Sequence, residues 1–359
     1  MKIASVETIA LSIPFDTGAP RDAFVGASWR HLDVLLVKVQ TEDGTLGWGD
    51  AFSYSCLETV RASVQTMVAP RVIGRDASNI GGLMHELQHG LHLFGRYGIN
   101  MFALSALDIA LWDIAAKRAG APLARLLGGI AREQIPAYAS LFRYGDPERV
   151  AARCALALEQ GYAYVKLHET REPEVRAARE TLGEGVPLMV DTNCPWTPEQ
   201  ARLNALRLRP YDLHWLEEPI FPPEDFCALA RLQRDVGVPL AAGENACTAH
   251  EFKKMFDARA VSYAQPSVTK VGGVTELMRV AALARAGGVA LMPHSPYFGP
   301  GFLATLQIAA ALPEASLIER FHMDTEASLY GPLIDPVVGA FALPGGSGLG
   351  AEPDPDVIR

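Results

Sequence analysis

The chain has 359 residues, 49% hydrophobic and 20% charged, and a formal charge of −9 from 32 basic and 41 acidic side chains, enough apolar content for a large core. The acidic balance, without any Lys/Arg run, argues against nucleic acid as a partner, so an anionic ligand would have to be held by local cations. Five cysteines at irregular spacing argue against a disulfide framework and suit a reducing cytoplasm, and the N-terminal apolar run, broken by Glu7, is not that of a leader. No stretch of about 20 consecutive apolar residues follows, so no membrane partner is expected.

In chain order, residues 1 to about 50 read as β structure. Ile3, Val6, Ile9 and Leu35-Leu36-Val37 are β-formers, and Asp43-Gly44 between two apolar runs is a hairpin signal. Between them, Asp16 to Trp29 reads as a loop carrying Arg21. From Leu57 to Leu127 the period turns helical, most clearly from Asn100 to Arg118, where Phe102, Leu104, Leu107, Ile109, Leu111, Trp112 and Ile114 leave a narrow polar stripe. Three strands plus helices are thus expected before a repeating part that begins near Ile135. After Glu319 the helical period stops, and the Gly/Pro-rich end is too short for a domain.

The repeating part is marked by Lys166, Asp191, Glu217, Glu244, Ser267, His294 and Glu319, each placed where a short apolar run ends, at steps of 25, 26, 27, 23, 27 and 25 residues. That spacing is one βα unit: a strand, a crossover helix and two loops take about 30 residues. Repeated βα units close into a barrel whose reactive groups gather at the C-terminal ends of the strands, and a bare barrel takes roughly 250 residues, leaving about a hundred for another domain. The seven positions therefore form a ring around one mouth.

Asp191, Glu217 and Glu244 end three consecutive strands. Three unpaired carboxylates would repel one another, and hard oxygen ligands of this kind suit Mg²⁺. Lys166 and His168, two residues apart, share the interior face of one strand, and His294 stands across the opening. A metal flanked by a basic group on each side is what abstraction of a proton next to a carboxylate requires. Tyr297, in the turn after His294, and the loop residues Arg21, Arg30, Arg143 and Tyr54 are candidate contacts for a polar substrate.

These residues sit in motifs that resemble the enolase superfamily, closest to its mandelate racemase subgroup: Gly47-Trp48-Gly49, Ala106 to Asp113, Leu126 to Gly129, Asp191-Thr192-Asn193, Trp215 to Pro219, Gly243-Glu244-Asn245, Lys270 to Gly273 and Gly348-Leu349-Gly350. The resemblance implies an α/β fold, a modified (β/α)8 TIM-type barrel (129–325) with an N-terminal α+β capping domain (1–128) and a segment (326–359) that packs back on the cap. It implies Mg²⁺ on Asp191, Glu217 and Glu244, Lys166 as the base on one face, His294 as acid or base on the other, Asn193 and Glu319 as substrate contacts, and a homo-oligomer.

Two positions depart from the subgroup's pattern. Lys166-Leu167-His168 stands where Lys-x-Lys is common, so Lys166 depends more on metal and burial for activation. Gln265-Pro266-Ser267 stands where an Asp usually pairs with the histidine; Ser267 can orient an imidazole but cannot stabilise imidazolium as a carboxylate would. This weighs against two-base racemisation and less against dehydration, in which His294 or His168 could assist departure of a β-hydroxyl. The expected activity is therefore dehydration of a sugar acid or related hydroxy acid by a lyase, with a racemase, epimerase or cycloisomerase as the alternative and a metal-binding member without catalysis as a further one. His85-Glu86-Leu87-Gln88-His89 also fits the helical zinc pattern, but its context reads as a surface helix. Cys194 lacks an activating partner and is not expected to be a nucleophile.

Overall fold

The computed structural model describes residues 1–19, 29–314 and 317–359; Arg21 therefore lies outside the described residues. Three antiparallel strands, β1 (Ile3–Asp16), β2 (His31–Thr41) and β3 (Leu46–Ala51), open the chain, with the β2–β3 turn at Asp43-Gly44. Helices α1 (Leu57–Ser63), α2 (Ala69–Val72), α3 (Ile80–Gly90), α4 (Ile99–Arg118) and α5 (Leu123–Leu126) follow. Among the described residues helix α4 alone is long and apolar enough to cross a membrane, and most of it is buried inside the cap. Gly47 and Gly49 let it lie there, because a Cβ at either would strike the α4 backbone carbonyls of Ala110 or Ala106.

The parallel sheet comprises β4 (Gln134–Ser140), β5 (Val165–Leu167), β6 (Leu188–Asp191), β7 (Leu213–Glu217), β8 (Leu240–Ala242), β9 (Tyr263–Ala264), β10 (Ala290–Leu291) and β11 (Ile318–Phe321), with helices α6 (Pro147–Glu159), α7 (Glu172–Leu182), α8 (Pro198–Leu208), α9 (Phe226–Val236), α10 (Thr248–Asp257), α11 (Gly273–Gly287) and α12 (Pro300–Ala311) between successive strands. Adjacent strands pair in chain order from β4 to β10, and β11 returns to lie beside β4, which curls the sheet into the modified TIM barrel. Helix starts are chemically marked. Asp146 accepts the N–H groups of Glu148 and Arg149, Thr197 and Gln200 form a reciprocal capping box, and Asp225 caps α9.

Three strands precede the barrel as expected, and the cap sheet gains a fourth from beyond it, since β12 (Asp324–Thr325) comes back to pair with Phe15 and Asp16 of β1. No local pattern marks a two-residue strand whose partner lies about 310 residues earlier. The remaining chain adds β13 (Ala340–Ala342), antiparallel to β4, and α13 (Pro355–Ile358). Gly348 bridges to Pro122, and Leu349 donates its N–H to Asp113 of α4.

Candidate active site

Strand alternation and loop length decide which side chains reach the mouth. Lys166 lies within β5, Asp191 and Glu217 end β6 and β7 as register partners, and Glu244, Ser267 and His294 stand two or three residues beyond β8, β9 and β10. Glu319 enters from β11. All seven converge, and ligand oxygens of Asp191, Glu217 and Glu244 lie within 4.8 Å of one another.

Lys166 Nζ lies 2.9 Å from Glu217 Oε1, 3.0 Å from Glu319 Oε1 and 3.5 Å from Asp191 Oδ2, fully buried. Burial opposes its charge, but Glu217, then Glu319, Tyr138 and Asp191, more than offset this and hold its pKa well above the usual lysine value. His168 donates from Nδ1 to the Leu141 carbonyl at 2.6 Å and brings Nε2 to 3.3 Å from Asp191 Oδ2. His294 Nε2 is 2.5 Å from Glu244 Oε2 and 3.9 Å from Glu319 Oε2. The three carboxylates divide unequally. Burial pushes each up; Lys166 pulls Asp191 below its usual range and His294 does the same for Glu244, while Glu217, with Asp191 beside it, stays well above. Three carboxylates, two buried and one partly buried, of which one cannot ionise comfortably, are the donor set of a hard divalent cation, so these residues fit one.

Around this centre Asn193, in a left-handed turn (φ 54), donates its backbone N–H to Asp191 Oδ1 and receives Arg143 Nη2 on its side-chain oxygen at 3.4 Å. Arg143 also donates from Nε to the His168 carbonyl. Tyr54 donates to the Pro296 carbonyl, and the Tyr297 hydroxyl meets Ser267 and His294. Arg30 is exposed. Cys194 faces Glu218, and burial drives its thiol pKa far up, which keeps it from acting as a nucleophile. His85 and His89 are exposed on α3 and Glu86 is engaged with Arg75; among the described residues the strand-end trio is the one group with metal-ligand spacing.

Sequence reasoning missed two features. Lys270 Nζ, buried 4.7 Å from the Phe52 ring centre, stands 3.6 Å from Glu244 Oε1 and adds a cation to the rim. In the sequence Lys270 stands only as the start of the Lys270 to Gly273 motif, with no role at the site. An aromatic wall of Trp29, Tyr54, Phe142 and Phe321, with ring centres 5.0 to 6.1 Å apart in successive contacts, comes from four separate elements and left no local signal.

Residues 20–128 match the mandelate racemase / muconate lactonizing enzyme N-terminal domain, and residues 149–357 match the enolase C-terminal domain-like family. The chain belongs to the enolase superfamily. Within its mandelate racemase and muconate lactonizing branch, the chain is 32% identical to a D-galactarolactone cycloisomerase of Agrobacterium fabrum over 100% of this chain and 98% of that protein. It is 31% identical to an arabinonate dehydratase of Saccharolobus solfataricus over 81% of both. Among solved enolase superfamily structures, L-talarate dehydratase from Polaromonas, complexed with Mg and L-glucarate, superposes with a TM-score of 0.84 at 28% identity, covering 99% of this chain and 96% of that one.

Proposed function

We propose that the protein is a Mg²⁺-dependent enzyme that removes the α-proton of a small carboxylate substrate, and that its reaction is the dehydration of a sugar acid or related hydroxy acid to a 2-keto-3-deoxy product. The observation that carries this reading is the gathering of two basic side chains against the carboxylate trio, Lys166 beside Asp191 and Glu217 and His294 beside Glu244. In this reading residues 1–128 form the cap, 129–325 the barrel and 326–359 the returning segment.

Magnesium held by Asp191, Glu217 and Glu244 would supply positive charge beside the substrate carboxylate and so stabilise the negative charge left when the α-proton departs. Lys166 takes that proton. In the protein alone three carboxylates hold its ammonium form; with Asp191 and Glu217 engaged as ligands, Glu319 is the main anion left to it, and burial then favours the neutral amine that a base needs. His294 faces the substrate from the other side, and His168, with Nε2 toward the mouth, is placed to assist loss of the β-hydroxyl. Asn193, Glu319 and Tyr54 line the opening as substrate contacts, and the aromatic wall excludes water from the cap side.

Cycloisomerisation is the second reading, supported by the full-length similarity to the D-galactarolactone cycloisomerase. Both begin with the same proton. The deciding experiment is a panel of sugar acids, with arabinonate and galactonate among them, incubated with Mg²⁺ in D₂O and assayed for 2-keto product and α-deuterium. Keto product lost in Lys166→Ala and His294→Asn supports the dehydratase. Deuterium without keto product supports the isomerase, and failure of every acid to exchange or react removes the enzymatic reading in favour of a metal-binding protein without catalysis.

A further inference from the structure

Trp215 and Glu217 stand two residues apart on β7, so both side chains enter the barrel interior, the indole deeper than the carboxylate. The Trp215 ring is fully buried among Tyr138, His214 and Tyr263, with ring centres 5.1 to 5.9 Å away. Its Nε1 lies 2.9 Å from Glu217 Oε2. An indole N–H only donates, so chemistry fixes the direction of this bond. The other oxygen, Oε1, turns to Lys166 Nζ at 2.9 Å. Asp191 is divided in the same way: Oδ1 accepts the Asn193 backbone N–H at 2.9 Å, and Oδ2 faces Lys166 and His168. The Gln265 amide also lies beside Glu217, but the indole is the donor locked in place by the rings around it. The ammonium on its flexible stem can yield Oε1 to a divalent cation, whereas the packed ring keeps Oε2.

We propose that Trp215 is a positioning residue for Glu217: its N–H occupies Oε2, so that Glu217 offers the metal one oxygen, Oε1, and the site favours a small octahedral cation over a larger one. This rests on the magnesium reading proposed above. Mg²⁺ demands near-ideal octahedral geometry, whereas Ca²⁺ takes about six to eight oxygens and accepts bidentate carboxylates. Without the indole N–H, Glu217 can turn both oxygens toward the mouth. General loosening of the barrel would weaken both cations alike; loss of this one bond weakens Mg²⁺ more than Ca²⁺.

The test needs no substrate. The full-length chain, freed of metal by chelator, is titrated calorimetrically with Mg²⁺ and with Ca²⁺. Mutating a donor behind a metal ligand typically costs about 10–100-fold in metal affinity. Trp215→Phe should raise the Mg²⁺ Kd by a factor in that range and the Ca²⁺ Kd by much less. Tyr138→Phe, which keeps the ring edge-on to Trp215 and removes no hydrogen bond to the carboxylates, should leave both near native. In the native chain ¹⁵N-labelled at tryptophan, the Trp215 indole resonance, assigned by its contacts to the Tyr138 and Tyr263 rings, should keep its downfield, hydrogen-bonded position as Mg²⁺ saturates the site. A Mg²⁺/Ca²⁺ Kd ratio unchanged in Trp215→Phe, or an indole N–H that releases Glu217 when Mg²⁺ binds, overturns the inference; should Trp215→Phe fail to fold, the indole resonance decides. A native chain that binds no Mg²⁺ overturns the magnesium reading as well, which separates the two failures.

Discussion

The ammonium nitrogen of Lys166 stands 3.0 Å from Glu319 Oε1, and neither side chain reaches solvent. The pair joins the second and last strands of the barrel, so one charge neutralises carboxylates from three different strands. Lys166→Ala leaves these anions facing one another. Removing one partner of a buried ion pair typically destabilises by about 3–5 kcal/mol. The metal-free variant should unfold at correspondingly lower urea, and saturating Mg²⁺ should recover much of the difference while α-proton exchange stays at least about 100-fold below the native rate. A variant with the native midpoint in both conditions would show that Lys166 does not hold the trio together.

Metal binding should appear as stability as well as activity. A ligand that binds only the folded state adds about 2.7 kcal/mol at a hundred times its Kd. Mg²⁺ titrated into chelator-treated protein should therefore raise the melting temperature progressively, and Asp191→Asn or Glu217→Gln should remove most of that response together with turnover. An undiminished response in both variants would place the cation elsewhere.

The ring of functional positions was legible because it depends on a local regularity: a short apolar run, then one polar residue, at the interval of one βα unit. The trio, Lys166 and His294 all converge as that regularity requires. What could not be read depends on contacts between distant segments. Strands β9 and β10 are two residues long, too short to show alternation, and β12 is fixed by its partner on β1. Tyr297 reads as a pocket residue by position, yet its hydroxyl meets Ser267 and His294 because the turn after His294 folds back on the β9 loop. Arg21 falls outside the described residues.

Asp50, at the end of β3, carries a pH dependence of its own. Its carboxylate accepts the Gly301 N–H at the start of α12, so the cap grips the barrel helix that follows the His294 loop. Burial raises its pKa from 3.8 to about 7, against the opposing pull of the Gly301 N–H. Since the folded chain holds this proton more tightly than the unfolded one, stability is greatest below about pH 4 for this group, falls through the window from about 4 to about 7, and levels off above it. Asp50→Asn keeps an acceptor oxygen and cannot ionise. The native chain should thus lose stability relative to Asp50→Asn across that window, by a few kcal/mol at about 1.4 kcal/mol per pH unit. Parallel urea midpoints for the two proteins between pH 4 and pH 8 would contradict the assignment.

Asp113, on α4, holds the C-terminal segment against the cap. Its buried carboxylate accepts the Trp48 N–H on one oxygen and the Leu349 N–H on the other, each at 2.9 Å, and Lys117 approaches to 2.7 Å. Burial raises its pKa, and Lys117 is the largest of the influences acting against that rise. Asp113→Ala leaves two backbone N–H groups without their acceptor, at about 1–3 kcal/mol each, so a loss of roughly 2–6 kcal/mol is expected. Lys117 also reaches Glu352, but that carboxylate is 59% exposed, and an exposed ion pair contributes about 0–1 kcal/mol. Glu352→Ala, which also removes the acceptor of the Trp48 indole N–H, should therefore be the milder of the two changes. Limited proteolysis separates anchoring of the segment from general destabilisation. In Asp113→Ala cleavage near the exposed Gly345-Gly346 pair should accelerate under conditions where the barrel is still folded, whereas in Glu352→Ala it should stay close to native. Equal cleavage rates in the two variants would mean that the segment is held by its other contacts, including the pairing of β13 with β4, and that Asp113 serves only the cap.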